Sequence, residues 1–110
     1  RLAWTDGRLS SASASTNDDY LQRIVHSDPG ASLLGEFAFG TNFHINRLCK
    51  DILFDEKIGG TVHIALGRAY PECGGVNQSA IHWDIVKDLR QEGAVNIDGR
   101  TVLEQGALLL

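Results

Sequence analysis

Apolar and polar positions along this chain fall into short runs separated by turn residues, and most of the runs read as strands. Leu2-Ala3-Trp4-Thr5, Asp6-Gly7 and Arg8-Leu9-Ser10 read as a β-hairpin, because Asp-Gly suits a type I′ turn whose two central residues both need φ > 0. After the polar stretch 11–17, Thr16 or Asn17 stands where a helix cap belongs, with Asp18 and Asp19 in the first turn. Tyr20, Leu21, Ile24 and Val25 then recur at helical spacing until Asp28-Pro29-Gly30 stops the helix. Residues 33–40 predict a short buried strand with one charge, Glu36. Residues 46–54 predict a short helix, 55–60 a polar turn, and 61–66 a strand dense in β-branched side chains. A loop with Pro71, Gly74 and Gly75 follows. In 79–89, Ile81, Trp83 and Ile85 occupy one face of a strand, and His82 and Asp84 the other. Val95-Asn96-Ile97, Asp98-Gly99 and Thr101-Val102-Leu103 repeat the hairpin signal. Hairpins, central strands and few helices predict an α+β fold with a mixed or antiparallel sheet.

Length and charge narrow the function. The 110 residues predict one domain, 1–110. A net charge of −4 offers no basic footprint for nucleic acid or an anionic membrane, and no apolar run approaches a membrane span. Cys49 and Cys73 form no C-x-x-C motif, so unbridged thiols in the cytoplasm are the expectation. The chain has no methionine, even at position 1, and is expected to be a piece of a longer protein.

The candidate chemistry lies in Glu36 and in the run from Gly59 to Asp84. His82 and Asp84, two apart on a strand, point the same way and supply two convergent ligands. Alone, the pair reads more readily as a solvated strand face than as a ligand pair. His63 shares its strand face with the small residues Thr61 and Ala65, which leaves room for a ligand; otherwise it is a core histidine bonded to a carbonyl. Glu36 in an apolar strand needs a cationic partner, either a metal or one of the Lys and Arg side chains. Tyr70 begins a glycine-rich loop, where its phenol is either a donor to a developing oxyanion or an aromatic plug. Glu72 and Lys57 cannot be separated from solvated charge by spacing, and His26 and His44 read as surface residues. Together, imidazole and carboxylate ligands suit zinc, cobalt, manganese or iron.

Three strings carry a family resemblance: Gly35-Glu36-Phe37-Ala38-Phe39-Gly40-Thr41-Asn42, Ile52 through His63, and Ser79-Ala80-Ile81-His82-Trp83-Asp84. In order and spacing they resemble the thermophilic metallo-aminopeptidase family of aminopeptidases T and S, over essentially the whole chain. The resemblance implies the C-terminal domain of a two-domain homodimeric enzyme. Such an enzyme releases N-terminal amino acids from peptides, using water activated by two divalent ions (zinc, cobalt or manganese). Carried over by motif, Glu36, His63, Tyr70, His82 and Asp84 are the metal-site residues. Glu36 is also the candidate general base, and Tyr70 the oxyanion donor. A further family glutamate, well upstream of the GEFA block, has no counterpart here, so the piece alone is expected to be nearly inactive. Two rival readings remain at this point. One is a ring-cleaving non-haem Fe(II) dioxygenase using His63, His82 and Asp84. The other is a non-catalytic dimerisation domain, with the apolar tail 107–110 at its interface.

Overall fold

Three tight turns shape the β architecture. In the computed structural model, which describes residues 1–109, paired positive φ angles occur at Asp6-Gly7 (50° and 76°), Asp98-Gly99 (52° and 78°) and Gln105-Gly106 (47° and 80°). The first turn joins β1 (Leu2–Thr5) to β2 (Arg8–Ala12), and the second joins β6 (Ala94–Ile97) to β7 (Arg100–Glu104). The third adds the short strand β8 (Ala107–Leu108) to β7. Its Gln-Gly pair is a weaker local signal than Asp-Gly, because asparagine and aspartate tolerate the left-handed region better than glutamine.

Between these hairpins lie α1 (Asp18–Val25), β3 (Leu34–Phe39), α2 (Ile52–Asp55), β4 (Thr61–Gly67), a 3₁₀ turn (Pro71–Cys73) and β5 (His82–Asp88). Strands β3, β4 and β5 form a three-stranded sheet in that order. Gly40 N donates to Thr61 O and Gly67 N to Leu33 O, both at 2.9 Å, which makes β3 and β4 antiparallel. Arg68 N on Ile81 O (2.8 Å) and Leu89 N on Gly60 O (3.2 Å) do the same for β4 and β5. The fold is therefore α+β with antiparallel sheets and few helices, as the run pattern predicts.

The chain divides into two compact units. The first holds Arg1–Phe37 and Ile64–Asp84, and its buried apolar residues include Leu21 and Val25 of α1, Ala31 and Leu66. The second holds Ala38–His63 and the chain from Ile85 onward. In it, Val62, Leu89 and Leu103 form a buried cluster with Phe39, Val95 and Leu108 packed against it. The Arg90 guanidinium clasps Asp88 there, at 3.0 and 2.7 Å, and donates to Asn46 O at 3.0 Å.

Several local expectations give way to longer-range contacts. Asn17 takes the N-cap position of α1 but makes no side-chain cap bond; Asp18 instead accepts from Ala14 N at 2.7 Å. Strand β3 is half-buried rather than buried, with Phe37 44% exposed. Strand β5 starts at His82, not at 79, because Ala80 N is donated to the Asp28 carboxylate. The tail does not dangle: Ala107 and Leu108 pair with β7, and Leu109 N donates to Val102 O at 2.8 Å. Leu110 lies outside the described residues.

The helix expected over 46–54 is one turn, Ile52–Asp55. Asp55, expected to open a polar turn, is buried and accepts from Cys49 N (2.8 Å), Lys50 N (2.9 Å) and Cys49 Sγ (3.2 Å). Lys50 takes a φ of 64°, which bends the preceding segment out of helix. The hydrogen bond to Asp55 pushes the Cys49 thiol above its ordinary pKa of 9.0, and the Cys49 N–H holds Asp55 below its ordinary 3.8. Since only the thiolate is nucleophilic, Cys49 should alkylate more slowly at pH 8 than an unperturbed exposed thiol. Asp55→Asn should accelerate it in an iodoacetamide time course read by mass spectrometry; an equal or lower rate in that variant would contradict the assignment.

Candidate metal centre

His82, the first residue of β5, is the hub of the site. Its Nδ1 lies 2.7 Å from the Arg68 carbonyl oxygen. A carbonyl can only accept, so Nδ1 carries the hydrogen, and in the neutral ring the lone pair sits on Nε2. That nitrogen stands 3.4 Å from Glu36 Oε2 and 3.4 Å from Asp84 Oδ1. The three side chains are 20%, 25% and 16% exposed, partly withdrawn from water. A neutral imidazole lone pair facing two carboxylate oxygens is an unfavourable arrangement unless positive charge joins it, either as a ring proton or as a cation.

Glycines permit the close approach behind this hub. A Cβ on Gly35 would lie 2.6 Å from Arg68 O, and one on Gly67, whose φ is +100°, would lie 2.4 Å from Ile81 O. Both contacts are with main chain, which cannot step aside as a side-chain tip can. Glu36 thus follows a glycine that lets β3 come close to the Arg68 peptide, whose carbonyl orients His82.

Tyr70, at the N-terminus of the 3₁₀ turn, is half-exposed and places its ring 4.9 Å from the His82 ring at 55°. Its phenol therefore borders the site with one edge in water. His63 is on β4, the central strand of the sheet, and is 5% exposed.

Other titratable candidates stay outside. Lys57 pairs with Glu56 on the surface, Glu72 and His44 are exposed, and exposed His26 is bonded to Gln22 O at 2.8 Å. The sequence reading missed the Arg68 carbonyl, because every residue has one and nothing local marks it.

Residues 1–107 match the thermophilic metalloprotease (M29) family. The chain belongs to that family. It is 32% identical over 118 residues to aminopeptidase 2 of Geobacillus stearothermophilus, covering 91% of this chain and 27% of the relative. It is 30% identical over 120 residues to aminopeptidase AmpS of Bacillus subtilis (strain 168), covering 90% of this chain and 28% of the relative. The chain thus spans under a third of the length of these curated relatives. Its fold is that of wild-type AmpT from Thermus thermophilus, with a TM-score of 0.73 and 24% identity over 99% of this chain and 31% of that one.

Membership in a metalloprotease family implies a divalent metal, and the side chains fit one. Carboxylate oxygens and a histidine with its Nε2 lone pair turned towards them are the donors that zinc, cobalt and manganese take. The Arg68 carbonyl on Nδ1 is the outer partner that metal-bound histidines characteristically have.

Proposed function

We propose that this chain carries the metal-binding part of a metal-dependent aminopeptidase that releases N-terminal residues from peptides. The observation that carries the reading is His82, held by the Arg68 carbonyl with its Nε2 towards Glu36 and Asp84. Family membership supports proteolysis, and the relatives named aminopeptidases support the exopeptidase form. In this reading His63, His82 and Asp84 are ligands and Glu36 is both ligand and proton acceptor. Tyr70 donates its O–H to the oxyanion that develops on the scissile carbonyl. Bound divalent cations supply a polarised carbonyl and a water of lowered pKa. The half-burial of the three side chains at His82 keeps bulk water from screening these charges.

The reading takes two ions, zinc, cobalt or manganese, in a cytoplasmic homodimer. It also takes this chain as the C-terminal portion, with a further glutamate supplied from upstream, so that the 110 residues alone turn over little. Among the described residues no helix is long and apolar enough to cross a membrane. The dioxygenase reading loses ground because Glu36 and Asp84 both face His82, one carboxylate more than a two-histidine, one-carboxylate iron site needs.

The test is metal content and leucyl-p-nitroanilide hydrolysis, on this chain and on any longer chain that contains it. Metal bound by both, with turnover rising in the longer chain, is the expected result. Failure of both to hydrolyse with zinc, cobalt or manganese, together with oxygen consumption on a dihydroxylated ring when iron is supplied, would overturn it.

A further inference from the structure

We propose that Asp28 is a positioning residue for His82, acting through the Ser79–Ile81 backbone and the Arg68 carbonyl. The proposal rests on the metal-centre reading, since that is where the orientation of His82 has a function. In the sequence Asp28 reads only as part of a helix stop. In the fold its carboxylate reaches across to the segment that leads into β5. Oδ1 accepts from Gly30 N at 2.8 Å, and Oδ2 from Ala80 N at 2.9 Å. The Ser79 hydroxyl lies 3.0 Å from Oδ1 and 2.8 Å from Oδ2.

From there the bonds run in one direction. The Ser79 hydroxyl oxygen accepts from Ile81 N at 3.1 Å. The Ile81 carbonyl accepts from Arg68 N at 2.8 Å, and the Arg68 carbonyl holds His82 Nδ1 at 2.7 Å. Arg68 is thus held at its N–H by Ile81, whose own N–H is bonded to the Ser79 hydroxyl that Asp28 fixes. The Arg68 carbonyl lies in the next peptide plane, shared with Ala69 N–H, only the φ and ψ of Arg68 away from that anchor. A shift of the anchor therefore turns the carbonyl, and the carbonyl decides which ring nitrogen of His82 keeps the hydrogen.

Two further features fit this role. Gly30 and Gly67 allow close backbone contact at Gln78 O and Ile81 O, so the bond chain has little slack. The N–H of Ala80, then the Ser79 hydroxyl, hold the Asp28 carboxyl below its ordinary 3.8, so it is ionised wherever an aminopeptidase works and accepts on both oxygens. An asparagine cannot do that, since its NH₂ would face a donor.

The test uses the 110-residue chain. The His82 ring nitrogens are read by long-range ¹H–¹⁵N NMR in metal-free protein, and cobalt(II) chloride is titrated by its visible absorption. For Asp28→Asn the expected results are a loss of the dominant Nδ1–H form at His82 and cobalt binding weakened about tenfold, as when an outer partner of a metal ligand is removed. Ser79→Ala, which keeps the carboxylate, should move both readouts the same way by less, and it replaces the first variant if that one does not fold. A folded variant with an unchanged His82 tautomer and cobalt affinity within about twofold of wild type would overturn the proposal, even if its melting temperature fell. Absence of cobalt binding by the wild type would overturn the metal-centre reading instead, and the ring signals alone would then decide for or against Asp28.

Discussion

Glu36→Gln is expected to weaken divalent-metal binding by at least about tenfold, an effect of the size seen for outer partners of metal ligands. In a chain with peptidase activity it should also lower kcat by about 10²–10⁴-fold, the range for loss of a general base. The substitution keeps the volume and one acceptor oxygen but removes the charge that faces His82 Nε2 at 3.4 Å. Removing charge should have the opposite sign in the metal-free protein. Glu36 and Asp84 are like charges around one imidazole, and deleting one relieves repulsion. The melting temperature without metal should therefore stay level or rise, while the stabilisation by added cobalt shrinks. Paired thermal melts with and without cobalt, beside a binding titration, give both signs at once. Unchanged cobalt affinity would remove Glu36 from the ligand set, and a large fall in metal-free stability would make it a structural ion-pair partner.

Gly30→Ala is expected to cost about 3 kcal/mol of folding stability, at the upper end for overpacking a close contact. The new Cβ would sit 1.9 Å from Gln78 O and 2.9 Å from its carbonyl carbon. Both are main-chain atoms next to the Ser79–Ala80 pair that Asp28 holds, so relief requires the turn at 28–30 or the entry to β5 to shift. For a chain of about this size the loss corresponds to a melting temperature lower by about 10–20 °C. Gly7→Ala is a useful control, because nothing lies within 4 Å of its added Cβ although its φ is +76°; its cost is backbone strain alone, about 1 kcal/mol. Equal losses in the two variants would mean that the close approach at Gly30 is not what the stability depends on.

The candidate site is partly legible in the amino-acid sequence. The period-two alternation in 79–89 gives His82 and Asp84 the same phase, and the structure finds His82 Nε2 beside Asp84. Glu36 stood out as a charge in an apolar run, and it is the other carboxylate on that nitrogen. Apart from the family resemblance, Tyr70 was marked by its place at the head of a glycine-rich loop, and it borders the His82 ring. What stayed hidden was how His82 is held. A main-chain carbonyl has no sequence signature, and Asp28 is 51 residues away from Ser79.

What the sequence determined by itself follows from short-range physics. The Asp-Gly turns, the apolar stripe of α1 and the β-branched run of β4 depend on φ preferences and on periodicity within a few residues, so reading them needs no partner. Tertiary structure decided the rest. Asp55 takes its hydrogen bonds from the backbone of 49 and 50 and cuts the predicted helix to one turn. Asp28 takes Ala80 N out of the expected strand. The 107–108 tail becomes an edge strand because Leu108 finds the Val62, Leu89 and Leu103 cluster. In each case a buried or half-buried group satisfies itself against a particular partner, a few residues away for Asp55, 52 away for Asp28 and as far back as Val62 for Leu108. That satisfaction outweighs a local propensity of well under a kilocalorie per residue.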